Sequence, residues 1–102
     1  MEFEIINSIT SNQKQILLHT LELDWSRTSY RNYFFACCDH ADYKDLEILR
    51  SLHLMDRRKD PFDETKECYI YHCTGNGSEV AKALKVELKE LETILKENRY
   101  HA

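Results

Sequence analysis

The spacing of apolar positions changes along this chain, and each change marks an element. From Ser11 onward, Ile16, Leu17, Leu21 and Leu23 recur at the three-to-four-residue step that stacks side chains on one helix face. Ser11 or Asn12 supplies an oxygen for the helix's first free N–H groups, so a helix is predicted over roughly residues 11–23. Upstream, residues 3–8 (FEIINS) are apolar but too few for periodicity to separate a β-strand from the lead-in to a helix, and both readings stand. Residues 24–40, DWSRTSYRNYFFACCDH, carry Trp25, Tyr30, Tyr33, Phe34 and Phe35 without helical order, which reads as a structured connection holding one short strand, YFFAC. Asp39 or Asp42 then caps a second helix over residues 42–54, whose apolar face is made by Tyr43, Leu46 and Leu49 with Ile48 and Leu52.

Residues 55–67, MDRRKDPFDETKE, are nearly all polar and hold the only proline; CYIYHCT follows with the alternation of a strand. Together they predict a β-hairpin with its tip at Asp60-Pro61-Phe62-Asp63. Gly75, Asn76 and Gly77 break the chain, Ser78 is a natural N-cap, and Val80, Leu84, Leu88, Leu91 and Leu95 follow at helical steps. A terminal helix over 78–99 results, about 30 Å long.

Composition narrows the class. At 102 residues the chain matches one domain spanning 1–102, and 42% hydrophobic with 31% charged residues is enough to build a core. No basic-then-apolar leader opens the chain, and no apolar run approaches the ~20 residues needed to span a bilayer, so a soluble, cytoplasmic protein is expected with no membrane partner. In that compartment the four cysteines are expected as free, mostly buried thiols. A net charge of −4 has the wrong sign for a protein that neutralises many phosphates.

The order helix, connection, helix, hairpin, long helix is that of an α+β domain of winged-helix type. Residues 16–55 resemble small proteins of phages and prophages, which share a leucine-rich first helix, RNYF or a variant, and a His followed by Asp-Tyr and a second leucine-rich helix. Arg31, Asn32, Tyr33, Phe34, His40, Asp42, Tyr43, Leu46, Leu49 and Met55 carry that likeness. Residues 71–84, YHCTGNGSEVAKAL, are similar to the wing strand and final-helix start of bacterial winged-helix regulators. One departure is Ala36-Cys37-Cys38-Asp39, where the pattern leads one to expect a glycine-containing loop. The resemblance implies a winged-helix fold and a phage setting.

The chemistry-bearing residues form few constellations. Cys37, Cys38, His40, Cys68, His72 and Cys73 are zinc-type ligands, but adjacent cysteines rarely ligate one metal and neither pair has zinc-knuckle spacing. Strand alternation also points Cys68 and Cys73 to opposite faces, so no metal and no cofactor is expected. A cysteine nucleophile beside His40 or His72 lacks an oxyanion loop and a third orienting group, and Gly75-Asn76-Gly77 is too short for a phosphate loop. The expected protein is therefore not an enzyme.

For nucleic acid, Arg27, Arg31, Lys44, Arg57, Arg58 and Lys59 are the candidate phosphate contacts, opposed by Asp42, Asp45 and Glu47 on the second helix and by acidic groups on the wing. For a protein partner, Trp25, Tyr30, Arg31, Tyr33 and Phe62 are candidate anchors, with Asp60, Asp63 and Glu64 as an acidic surface. Leu84, Leu88, Leu91 and Leu95 are the candidate seam of a homodimer, because the terminal helix outreaches so small a core. The reading is a protein that binds a host or phage protein, as an inhibitor of a nucleic-acid-processing or defence system in the manner of an anti-CRISPR; the alternative is a dimeric DNA-binding regulator.

Overall fold

The computed structural model describes residues 2–23, 31–64 and 67–101, with side-chain surroundings for 4–23, 31–64 and 67–88. Its elements are α1 (Glu2–Ser8), α2 (Ser11–Thr20), β1 (Phe34–Cys37), α3 (Tyr43–Ser51), β2 (Met55–Lys59), β3 (Cys68–Cys73) and α4 (Gly75–His101). The strands form one antiparallel sheet in the order β1-β3-β2, so the class is α+β. The open reading of residues 3–8 resolves as helix α1, which sets Ile6 and, just beyond its end, Ile9 into the core beside α4.

The cap of α2 lies one residue earlier than Ser11 or Asn12. Thr10 Oγ1 accepts from the Gln13 amide at 3.1 Å while Gln13 Oε1 accepts from the Thr10 amide at 3.0 Å, a reciprocal capping box that needs a glutamine or glutamate three residues after the cap. Thr10 has that partner, whereas Ser11 has Lys14 at the same spacing. Asn12 serves elsewhere, donating from Nδ2 to Asp42 Oδ1 at 3.0 Å and Asp45 Oδ2 at 2.7 Å, which fixes α2 to α3.

Both α2 and α3 stop sooner than their apolar periodicity suggests, and for the same reason. Glu22 (φ 58°) and His53 (φ 61°) adopt the left-handed conformation. Each is followed by a leucine whose amide reaches back five residues, Leu23 to the Leu18 carbonyl at 2.8 Å and Leu54 to the Leu49 carbonyl at 3.0 Å. These are Schellman closures with a non-glycine residue at the turn, and each delivers a buried leucine into the core. Leu46 and Leu49 are fully buried as expected, whereas Ile48 and Leu52 are exposed.

The start of α4 is likewise earlier than Ser78. Thr74 Oγ1 accepts from the Gly77 amide at 3.1 Å and donates to the His53 carbonyl at 2.7 Å, so one hydroxyl caps α4 and ties it to the end of α3. Gly75-Asn76-Gly77 is therefore the first turn of the helix rather than a break. A Cβ on Gly77 would overlap the Leu54 backbone carbonyl; glycine is what permits that approach.

The core is one cluster in which Ile16, Leu17 and Leu18 of α2, Leu46 and Leu49 of α3, and Val80, Ala81 and Leu84 of α4 close over Ala36, Met55 and Tyr71 of the sheet. Each buried aliphatic side chain there contributes about 1.5–3 kcal/mol. The hairpin is formed by β2 and β3 as expected, and the strand foreseen in YFFAC is β1. Among the described residues, no helix is long and apolar enough to cross a membrane.

The expectation of four free thiols is overturned. Cys37 and Cys68 stand directly opposite each other on β1 and β3 and are joined by a disulfide, leaving Cys38 and Cys73 free. The Cys38 amide donates to the Glu67 carbonyl at 3.0 Å, which makes Cys37–Cys68 a non-hydrogen-bonded pair, where facing side chains approach most closely.

Candidate functional site

Strand register sorts the sheet residues onto two faces. One face carries Phe34, Tyr71 and Arg57 in one row, Ala36 and Tyr69 in another, and Met55 beside Cys73; the helices pack over it. The other carries the row Phe35–Ile70–Arg58, the pairs Cys37–Cys68 and Asp56–His72, and no described element lies across it.

The covered face holds a polar net. The buried Tyr71 hydroxyl donates to Glu47 Oε2 at 2.7 Å, Arg57 Nη1 lies 3.1 Å from the same oxygen, and the Arg57 guanidinium sits 3.9 Å over the Tyr69 ring. Arg50 Nη1 adds an ion pair to Glu47 Oε1 at 3.3 Å. Burial, and then the hydrogen bond to Glu47, push the Tyr71 hydroxyl well above the ordinary phenol pKa. For Arg57, burial works against the charge but is outweighed by hydrogen bonds to Tyr71 and Tyr43 and by the Glu47 carboxylate, and its pKa lies above the usual guanidinium value. Arg57, expected as a phosphate contact, is thus half-buried and paired with Glu47 within the fold.

Arg31 is also engaged inwardly. Its Nη1 lies 3.4 Å from Glu22 Oε1, its Nη2 donates to the His19 carbonyl at 2.7 Å, and its guanidinium stands 5.2 Å from the Tyr33 ring centroid. It fastens the approach to β1 onto the end of α2. Asp42 and Asp45, counted as acidic groups facing a DNA backbone, instead accept from Asn12 and Gln13 of α2. Of the remaining basic candidates, Lys44, Arg58 and Lys59 are exposed, while Arg27 lies outside the described residues together with Trp25 and Tyr30.

In the hairpin loop two of the three acidic candidates hold the loop itself. Asp60 Oδ1 accepts from the Phe62 amide at 3.0 Å, and Asp63 Oδ2 accepts from the Glu67 and Cys68 amides, both at 2.9 Å. Their carboxylates thus help build the turn. Glu64 remains exposed, and Phe62 stands at the tip 90% exposed.

Leu84 belongs to the core, which removes it from the expected dimer seam; Leu88 is exposed, as is Val86 on another side of the helix. Leu91 and Leu95 lie on α4 with side chains outside the described set.

Two concavities carry polar side chains of interest. A groove of about 410 Å³ between α2 and the β1–α3 turn is lined by Asn12, Gln15, His19, Phe34, His40 and Asp42. There His40 Nδ1 accepts from the Asp42 amide at 2.9 Å, which places the ring proton on Nε2. A smaller depression of about 330 Å³ lies on the open sheet face between Asn32, Tyr33, Arg58, Ile70 and His72. Asn32 forms its lip as a side-chain extension of the ladder, accepting from the Cys73 amide at 2.7 Å and donating to the Cys73 carbonyl at 3.2 Å.

Tyr33 and Phe35 are 53% and 49% exposed on this face. Arg58 and His72 make no ion pair or side-chain hydrogen bond among the described residues. The composition, aromatic and aliphatic side chains around one free arginine, is that of an interface centre. Sequence reasoning found Tyr33 and Arg58 separately but missed Phe35, Ile70 and His72 as their neighbours; the alternation in CYIYHC carried the signal, and only strand register completes it.

Thiol chemistry is muted. Burial pushes the Cys73 thiol up to about 12, and Cys38 is held above the ordinary thiol pKa by desolvation and by the neighbouring Glu67 carboxylate, whose Oε2 lies 3.6 Å from its sulfur. Among the described residues no group of His, Cys, Asp or Glu is arranged to hold a metal ion. Neither a protein-family pattern, nor a characterised protein sequence, nor a solved structure matches this chain.

Proposed function

We propose that the protein is a non-enzymatic, winged-helix-like binding protein of the kind phages encode, acting in the host cytoplasm as an inhibitor or adaptor of a host or phage protein. The observation that carries this reading is the open sheet face, where Tyr33 and Phe35 are half exposed around the free Arg58 on ordered backbone. Phe62, presented by the Asp60 turn, adds a second anchor. The strand order β1-β3-β2 with a hairpin after α3 supports a winged-helix kinship. The single described helix between β1 and β2 departs from the two that a helix-turn-helix requires.

The internal use of Asp60 and Asp63 favours inhibition by covering a partner surface over mimicry of nucleic-acid phosphates. The same logic weakens the DNA-binding alternative, since Arg31 and Arg57 are engaged within the fold and non-specific DNA affinity scales with the number of phosphates neutralised. Pairing of two copies along α4, with the exposed Leu88 on the seam, is measured directly by light scattering on the purified protein. The deciding experiment is affinity capture from host lysate with and without nuclease. A stoichiometric protein retained after nuclease and lost with Tyr33→Ala/Phe35→Ala is the expected result; recovery of DNA alone, abolished by nuclease, overturns the reading.

A further inference from the structure

The covered and open faces of the sheet treat neighbouring arginines differently, and that difference identifies what the open face accepts. Arg57 is neutralised by Glu47; Arg58 has no described counter-charge and sits beside Ile70 and Phe35 in one cross-strand row. A guanidinium bordered by aromatic surface is suited to a carboxylate held bidentately, because excluding water strengthens the pair while the flanking rings bury apolar area.

Resting on the protein-binding reading above, we infer that the open sheet face receives an extended segment of its partner in which an Asp or Glu reaches Arg58 and an apolar side chain two or three residues away packs on Phe35 and Tyr33. The spacing follows from the sheet. Phe35 and Arg58 stand two strands apart, about 10 Å, and an extended chain advances about 3.3 Å per residue. The depression between Tyr33, Ile70, His72 and Arg58, about 330 Å³, accommodates a side chain rather than a folded element. His72 at its edge provides a further donor.

Nucleic acid fits this face less well. It shows one arginine without a described counter-charge where several phosphate contacts are needed. The acidic, apolar hairpin tip of a second copy, Phe62 with Glu64, has the right chemistry in kind and is the occupant the experiment must separate from a foreign segment.

The test is selection of a displayed random-peptide library on the purified full chain, in parallel on Arg58→Glu and on Tyr33→Ala/Phe35→Ala, with thermal unfolding confirming that each variant folds. Wild type is expected to enrich peptides with an acidic residue two or three positions from an aromatic or aliphatic one. Synthetic peptides of that kind should lose about tenfold or more in affinity on Arg58→Glu, and Arg58→Glu should enrich basic residues instead. Enrichment of apolar peptides indifferent to Arg58→Glu overturns the carboxylate assignment while leaving the protein-binding reading intact. No enrichment over the Tyr33→Ala/Phe35→Ala variant also overturns the inference, and the lysate capture still judges that reading by itself. Two further results overturn it: loss of a wild-type dimer on Arg58→Glu with recovery in Arg58→Glu/Glu64→Arg, which makes a second copy the occupant, and tight binding of oligo(dT) or oligo(U), which makes it nucleic acid.

Discussion

Arg57 and Arg58 are adjacent in sequence, identical in chemistry and opposite in circumstance. The first lies between the Glu47 carboxylate and the Tyr69 ring, under the helices; the second faces outward from the same strand with no described partner. A strand delivers successive side chains to opposite faces, so a pair of like residues is divided between architecture and recognition without any change in composition. Arg57, Arg58 and Lys59, read from sequence as one basic group, are therefore not equivalent: Arg57 is held by Glu47, while Arg58 and Lys59 are exposed.

Several outcomes would break or sharpen this contrast, and the largest concerns the one strong stabilising feature of the open face. The Cys37–Cys68 bridge closes a loop of sequence separation 31, and restricting the unfolded chain in that way is worth about 3–4 kcal/mol. Urea unfolding with and without reductant should show a loss of that order. No loss would mean that the open face stabilises nothing. Next, Gly77→Ala forces a methyl group into the Leu54 carbonyl on the covered side and should lower stability by about 2–3 kcal/mol in the same assay.

Glu47→Ala deprives the buried Tyr71 hydroxyl and the Arg57 guanidinium of their shared acceptor, at about 2 kcal/mol. Alkaline pH probes the covered face without mutation. Because the folded-state pKa of Cys73 is raised from 9.0 to about 12, its contribution is complete below pH 9 and is lost as pH rises from there towards 12. At pH 10 that amounts to about 1 kcal/mol relative to pH 7, and Cys73→Ala should remove this part of the pH dependence. Arg58→Ala and Phe35→Ala are expected to shift stability by no more than about 0.5 kcal/mol while impairing partner capture. A larger destabilisation would make the open face structural after all.

Much of the fold could be read before any coordinates, and the exceptions have physical causes. Leucines at helical steps exposed α2, α3 and α4, and the polar run before CYIYHC exposed the hairpin, because both signals come from one face seeking water and the other avoiding it. Helix boundaries were misplaced where a hydroxyl had two suitors: Ser11 and Ser78 are acceptable caps in isolation, but Thr10 has Gln13 at the right spacing and Thr74 has the His53 carbonyl within reach. The early stops of α2 and α3 were illegible since Glu22 and His53 occupy positions where glycine is the usual marker. The seven-residue α1 was too short for its period to show.

The candidate site was legible only in fragments. Alternation predicts that Ile70 and His72 part company with Tyr69 and Tyr71, yet it cannot say which pair meets the helices. Nor can it say that Phe35 and Arg58 flank Ile70, or that Cys37 meets Cys68. Register decides all three, and register depends on contacts between strands far apart in the chain. Charge alone reads the wing as an acidic surface and does not show which carboxylates the loop also uses; Asp60 and Asp63 accept from backbone amides.

The cross-strand bridge also determines how the molecule comes apart. Phe62, at the tip of the hairpin loop, is the most exposed large hydrophobic residue among the described ones, and a chymotrypsin-like cut after it separates residues 1–62 from 63–102. Cys37 lies in the first fragment and Cys68 in the second, so the nicked protein stays covalently whole and migrates as two pieces only after reduction.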